Sequence, residues 1–139
     1  MRDDGARFCR LIKPAEDWTH WDAEAEALHG ITRHKLNQYG SDLRSVCEAL
    51  NEFVGNRTVY SDGWVVDSPW LSKLYAQANR QMQFRVSPLE SLLKEPQLLR
   101  WDMVKADVSE EFGGSRHRAS VDAMIVQQTF EKVVSAIPV

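Results

Sequence analysis

The chain has 139 residues, 43% of them hydrophobic and five of them tryptophan, with a formal net charge of −3. Such a length suits one domain over residues 1–139, with a core that takes about two-thirds of the unfolded surface out of water, and the apolar content excludes a disordered chain. Slight acidity excludes broad electrostatic adhesion to nucleic acid or membrane, so a polyanion must be gripped by a local patch or through metal ions.

The two cysteines, Cys9 and Cys47, lie among apolar neighbours and are expected to be buried thiols of a reducing compartment rather than a disulfide framework. No apolar run approaches the roughly 20 residues of a membrane span. The polar opening Met1-Arg2-Asp3-Asp4-Gly5 has no signal-peptide core. A cytoplasmic protein with no membrane partner is expected.

In chain order, Asp3-Asp4-Gly5 signals a turn, and Arg7 to Ile12, stopped by Pro14, suits a short strand. A turn opening the chain with no strand before it is half a hairpin. The loop Asp17 to Asp22 is aromatic and polar. Asp22 then caps a short helix through Glu24, Glu26 and Leu28 that Gly30 ends; the acids favour the helix dipole more simply than they form a metal cluster. Thr32 caps a second short helix, Arg33 to Gln38, closed by Tyr39-Gly40. Ser41 or Asp42 starts a longer one, in which Leu43, Val46, Cys47, Leu50, Phe53 and Val54 form one apolar stripe until Gly55-Asn56.

Arg57 to Ser61 has the content of a strand, broken by Asp62-Gly63. Ser68-Pro69 fits an N-cap with a first-turn proline and predicts a helix carrying Trp70, Leu71, Leu74, Tyr75 and Ala78. Asp67 then stands between strand and helix, where open α/β sheets present functional groups. Phe84-Arg85-Val86 suits another short strand. Ser87-Pro88-Leu89-Glu90 reads as a capping box, Gln97 to Phe112 as a helix, and Gly113-Gly114-Ser115 as its break. A last helix runs from Ala119 towards Pro138. There is no internal repeat, low-complexity tract or linker.

The chemistry-bearing residues gather around two stretches, Val65 to Leu71 and Arg116 to Ala123. They supply Asp67, Asp122 and His117. Magnesium and similar hard cations take oxygen ligands, often one or two carboxylates plus substrate phosphate. In two-metal phosphodiester hydrolysis one cation activates water while the other stabilises the leaving oxygen. A neutral imidazole can accept the water's proton near working pH. Ser61, Ser68 and Ser120 each lie near an acid, but no Gly-x-Ser-x-Gly elbow is present, and neither a phosphate-binding glycine loop nor a zinc spacing occurs.

The order His29-Gly30-Ile31-Thr32, an amphipathic helix, Val59-Tyr60-Ser61, Asp67 with Trp70-Leu71, and His117-Arg118-Ala119-Ser120-Val121-Asp122-Ala123 resembles the DEDDh 3′–5′ exonuclease superfamily. RNase T, oligoribonuclease and the proofreading subunit of bacterial DNA polymerase III belong to that group. The resemblance runs from about Phe8 to Phe130. Its most specific element is His-x-Ala-x-x-Asp; the middle motif departs, with Ser61-Asp62 and Val66-Asp67 where the family usually has His-Asn and Phe-Asp. It implies an α/β, ribonuclease H-like fold, a five-stranded mixed sheet flanked by helices. It further implies Asp67 and Asp122 as ligands of a Mg2+ or Mn2+ pair and His117 as general base. Trp64, His29, Arg116 and Arg118 are the candidate contacts to substrate, the 3′ end of single-stranded DNA or RNA.

The family also carries Asp-x-Glu on its first, central strand, and no such strand is expected here. The chain reads as a member that starts just after it, with little or no nuclease activity expected from two of four carboxylates. An unpaired sheet edge would favour a homodimer. The alternative is a catalytically silent nucleic-acid-binding or protein-interaction module of the same fold.

Overall fold

Residues 1–113 and 118–136 are described by a computed structural model of the chain. They form a mixed α/β structure that is mostly helical and has one small two-stranded parallel sheet. They divide into two compact units, Arg10–Pro88 and Met1–Cys9 with Leu89–Val139.

The first helices of Arg10–Pro88 start where short polar side chains can take orphan N–H groups. Asp22 accepts from the Glu24 and Ala25 N–H groups at 2.9 and 3.1 Å and opens α1 (Ala23–His29). Thr32 Oγ1 accepts from Lys35 N–H at 3.1 Å and opens α2 (Arg33–Tyr39). Asp42 opens α3 (Leu43–Val54), taking the Ser45 N–H at 3.0 Å and the Ser45 hydroxyl as well. Gly55 closes α3 at φ +67°, ψ −136°, backbone that side chains with a Cβ rarely adopt. Gly40 has a different reason to be glycine. A Cβ there would stand 2.3 Å from the Leu36 carbonyl oxygen and 2.5 Å from the Lys13 nitrogen.

Next come β1 (Thr58–Ser61), α4 (Trp64–Gln77) and β2 (Arg85–Pro88). The strands pair in parallel, Thr58 opposite Arg85 through Ser61 opposite Pro88, so α4 is the crossover of a βαβ unit. It packs on both strands and on α3. Between α3 and α4 lie the buried side chains Val46, Cys47, Val54, Leu74, Tyr75 and Ala78, with Phe84 ahead of β2. The Tyr75 and Phe84 rings meet edge to face at 6.1 Å.

One polar group sits inside this apolar layer. Asn51 Oδ1 accepts from the Tyr75 hydroxyl at 2.9 Å and from Gln83 N–H at 3.1 Å, while its Nδ2 donates to the Gln81 carbonyl at 2.9 Å. The Tyr75 hydroxyl also lies 3.1 Å from the Cys47 carbonyl oxygen. Burial pushes the Tyr75 phenol up to about 12, so it remains a protonated donor. A single amide therefore ties α3 to α4 and to the segment that leads into β2.

In the other unit α5 (Glu95–Glu111) and α6 (Ala119–Ala136) pack together around Val108, Ile125, Thr129 and Val133. Thr129 is buried because its hydroxyl donates back to the Ile125 carbonyl at 2.7 Å. Lys132 Nζ bonds Glu111 Oε1 at 2.7 Å. The N-terminal turn closes through Gly5 N–H to the Arg2 carbonyl at 3.0 Å, with Gly5 at φ +80°.

Several expectations from sequence need correction. Arg7–Ile12 is not a strand: its one ladder contact is an isolated bridge between Ile12 and Ser41. Extended chain persists as a strand only where a neighbour takes its hydrogen bonds, and Pro14 cuts this one short. Helix α4 starts at Trp64, not at Ser68, so Pro69 lies inside it. The Gly63 carbonyl accepts from Val66 and Asp67 N–H at 2.9 and 3.0 Å and nucleates the helix one turn early. The carbonyl that Pro69 leaves without a donor belongs to Val65, which is exposed at 78% and open to water.

Ser87 and Pro88 pair with β1 instead of capping a helix, and Leu89–Leu92 is only a 3-10 turn. The real start is two residues before Gln97, whose Oε1 accepts from Lys94 N–H at 2.8 Å. Cys47 is buried but Cys9 is exposed. Where the resemblance implies a five-stranded mixed sheet, the described residues contain two parallel strands.

Two stability predictions follow from the caps and the buried amide. Asn51→Ala leaves the Gln83 N–H and the Gln81 carbonyl without partners and is expected to cost on the order of 2–3 kcal/mol, against about 1 kcal/mol for Tyr75→Phe. Equilibrium urea denaturation measures both, and a neutral Asn51→Ala would dismiss the clamp. Hydrogen bonds from the Ser45 side chain and backbone hold the Asp42 carboxyl below its ordinary value. A depressed folded value means stabilisation present above the ordinary carboxylate range and lost as pH falls through the lowered one. Asp42→Ala should therefore lower the urea midpoint at neutral pH, and the gap from the parent chain should close in strong acid.

Candidate functional site

Asp67 stands at the junction of β1 and α4, on the first turn of the helix. The positive end of the helix dipole favours a carboxylate there whatever its function. What distinguishes Asp67 is its second support. Ser61, the last residue of β1, donates its hydroxyl to Asp67 Oδ2 at 2.5 Å and accepts from Gly63 N–H at 2.9 Å. The serine thus bridges strand, turn and helix. Asp67 is exposed, and its Oδ1 takes no hydrogen bond among the described residues. Nothing in the sequence pattern paired Ser61 with Asp67; the six-residue separation became a contact only because Asp62-Gly63 turns the chain back.

Trp64, next to the turn, is 39% exposed and donates its indole N–H to the Val86 carbonyl of β2 at 3.1 Å. That bond fixes the ring against the sheet while part of it faces solvent. His29 is half-buried at the end of α1, and its Nδ1 accepts from Ile31 N–H at 3.0 Å. With that nitrogen engaged, His29 braces the α1–α2 loop.

The remaining expected residues belong to the other unit. Asp122 is exposed on the first turn of α6, its N–H donating to the Arg118 carbonyl at 2.9 Å. Arg118 is exposed just ahead of the helix. His117 and Arg116, the expected base and one expected phosphate contact, lie outside the described residues.

Among the described residues no group of three or more histidine, cysteine, aspartate or glutamate side chains is placed to hold a metal ion. Asp22-Ala23-Glu24 has the Asp-x-Glu spacing but not its setting. Asp22 caps α1, and the backbone N–H groups of Ala25 and Glu24 lower its pKa. Glu26 accepts from the Trp21 indole N–H at 2.6 Å. These acids are occupied with helix and loop structure.

Two basic side chains lie against tryptophan rings of the Asp17 to Trp21 loop and α4. Lys73 Nζ lies 5.2 Å from the Trp70 ring centroid and 5.4 Å from that of Trp18. Arg33 stacks on Trp21 at 5.9 Å and donates to the Trp18 and Thr19 carbonyls at 2.7 and 2.9 Å. Gln77 Nε2 reaches Asp17 Oδ1 at 3.2 Å. The loop Asp17 to Trp21 is therefore fastened to α2 and α4. The three-residue step from Trp70 to Lys73 was the available signal, since such pairs are neighbours on a helix.

Comparison of the chain with protein-family models, curated proteins and solved structures returns no match. The site must be judged on its own geometry.

Removing the bridging hydroxyl tests whether this junction is built or incidental. Ser61→Ala is expected to cost roughly 1 kcal/mol in urea denaturation and to shift the Gly63 amide resonance; an unchanged amide and midpoint would make the contact incidental.

Proposed function

We propose that the chain is a metal-dependent 3′–5′ exonuclease-family protein, acting on phosphodiester bonds at the 3′ end of single-stranded DNA or RNA, on a ribonuclease H-like framework. The observation that carries this is the parallel crossover β1–α4–β2 with Asp67 on the first turn of its helix. Asp122 occupies the equivalent first turn of α6, and His117 precedes it by five residues.

In this reading Asp67 and Asp122 are cation ligands, His117 is the general base, and Trp64, His29, Arg116 and Arg118 contact substrate. Oxygen donors suit Mg2+ or Mn2+, which keep several waters and are held by one or two carboxylates with substrate phosphate rather than by an all-protein cage. An exposed carboxylate with one oxygen anchored by Ser61 and the other unengaged among the described residues fits that role. When bound, the cations stabilise charge on the phosphate and the leaving oxygen. Ser61 holds the Asp67 rotamer, and a neutral His117 takes a proton from the attacking water. No described strand carries Asp-x-Glu, so cation affinity and turnover are expected to be low. That same sequence feature favours the second reading, a catalytically silent nucleic-acid-binding or protein-interaction module.

A manganese titration followed by NMR decides between them. Paramagnetic broadening should appear around both Asp67 and Asp122 and be lost on Asp67→Asn and Asp122→Asn. A 3′-labelled oligonucleotide should yield mononucleotides slowly at most. Broadening at neither acid, or broadening indifferent to both substitutions, would leave only the silent module.

A further inference from the structure

The two-stranded sheet has two outer edges, and they are not alike. Residues along a strand aim their N–H and C=O groups alternately to one side and the other. Arg85 N–H donates to the Arg57 carbonyl, and Thr58 stands opposite Arg85. Val59 and Ser61 therefore face β2, while Thr58 and Tyr60 aim their backbone groups away from it. On the far side, Val86 and Pro88 aim outward from β2. That edge is guarded: the Trp64 indole N–H takes the Val86 carbonyl at 3.1 Å, and Pro88 has no N–H to offer. The β1 edge has neither device. Thr58 to Ser61 contains no proline and no charge, and Tyr60 is exposed. Among the described residues no hydrogen bond reaches the outward backbone groups of Thr58 or Tyr60.

We propose that β1 pairs antiparallel with β1 of a second copy of this chain, joining the two sheets into one with the strand order β2-β1-β1-β2. With the two-fold axis at Val59, Thr58 of each copy meets Tyr60 of the other. Each such pair exchanges both of its N–H···O=C bonds, so every outward donor and acceptor of the two residues finds a partner. An edge that is its own complement is what a closed two-fold interface requires. Tyr60 then lies beside the second copy's Thr58, a favourable aromatic and β-branched cross-strand pair. Charge sets the direction. Arg57 is exposed ahead of β1, while Asp62 and the exposed Asp67 follow it. Antiparallel pairing puts Arg57 opposite the second copy's Ser61, the residue that holds Asp67, so each guanidinium approaches a carboxylate. Parallel pairing would set like charges side by side at both ends. Arg57 has donors to spare, since among the described residues only its Nη1 is engaged, by the Val54 carbonyl at 3.2 Å. The pairing needs nothing from the exonuclease-family reading. So short an interface belongs with weak, exchanging associations.

Sedimentation equilibrium of the purified chain should show a reversible monomer–dimer equilibrium at concentrations up to about 0.1 mM. In hydrogen exchange the Thr58 and Tyr60 amides of the parent chain should slow as concentration rises, while the amides of α5 do not change. Tyr60→Pro removes an outward N–H but no bond between β1 and β2, and is expected to stay folded by circular dichroism and to sediment as a monomer. Arg57→Glu should raise the dimer dissociation constant at least about three-fold, because symmetry removes two rim pairs at once. With Cys9→Ser to exclude the exposed thiol, Val59→Cys should give a disulfide-linked dimer in oxidised glutathione, since non-hydrogen-bonded residues facing each other lie about 4.5 Å apart at Cα. The proposal is overturned if the parent chain is a monomer at about 0.1 mM, or if a dimer forms while Thr58 and Tyr60 amides exchange at the monomer rate. A dimer undiminished in folded Tyr60→Pro overturns it as well. Should Tyr60→Pro fail to fold, the parent chain's exchange and the Val59→Cys link decide. Slowed amides without that link would mean another register and overturn the pairing about Val59.

Discussion

A buried amide with three of its four hydrogen-bonding positions filled underlies the arrangement on which the candidate site depends. Asn51 takes the Tyr75 hydroxyl from α4 and the Gln83 N–H and Gln81 carbonyl from the approach to β2. Apolar contact alone would let α4 slide against α3, because hydrophobic burial has no direction. Hydrogen bonds at fixed angles do not allow that freedom, and an orphaned buried partner costs more than an ordinary bond gains. Gln81 and Gln83 lead into β2, so the same amide anchors the approach to the sheet beside which Ser61 meets Asp67.

The junction after β1 combines two functions of a short polar turn. Gly63 starts the helix by accepting from Val66 and Asp67, while Ser61 reaches across the turn to hold one oxygen of the carboxylate. A helix that begins at the turn, not beyond Ser68, keeps Asp67 on its first turn. Local structure and candidate chemistry thus share the same few atoms. Pro69 has no N–H to give the Val65 carbonyl and is accommodated where Val65 is 78% exposed.

Much of the helical structure was legible in the sequence. Asp22 and Thr32 cap the helices they were expected to cap, of Ser41 and Asp42 it is Asp42 that opens α3, and the stripe through Val46, Cys47 and Val54 is buried as its spacing requires. The misplaced elements share one cause: each was judged from its own residues although its state depends on a partner. Arg7–Ile12 has strand composition but no ladder neighbour beyond Ser41. Ser87-Pro88 has the pattern of a helix start, yet β1 takes it as strand. Cys9 has apolar neighbours in sequence and solvent in space.

By itself the sequence determined the short-range features: caps, glycine stops, the apolar stripe of α3 and the presence of acids near the starts of α4 and α6. Those depend on backbone geometry within a turn or two and need no distant contact. Only the tertiary structure decided that Ser61 supports Asp67, that Trp64 is pinned to Val86, and that Lys73 lies between Trp18 and Trp70. Apart from the Lys73–Trp70 step within α4, each of these joins residues from different segments of the chain. Such contacts arise from packing the elements together, which no local pattern encodes.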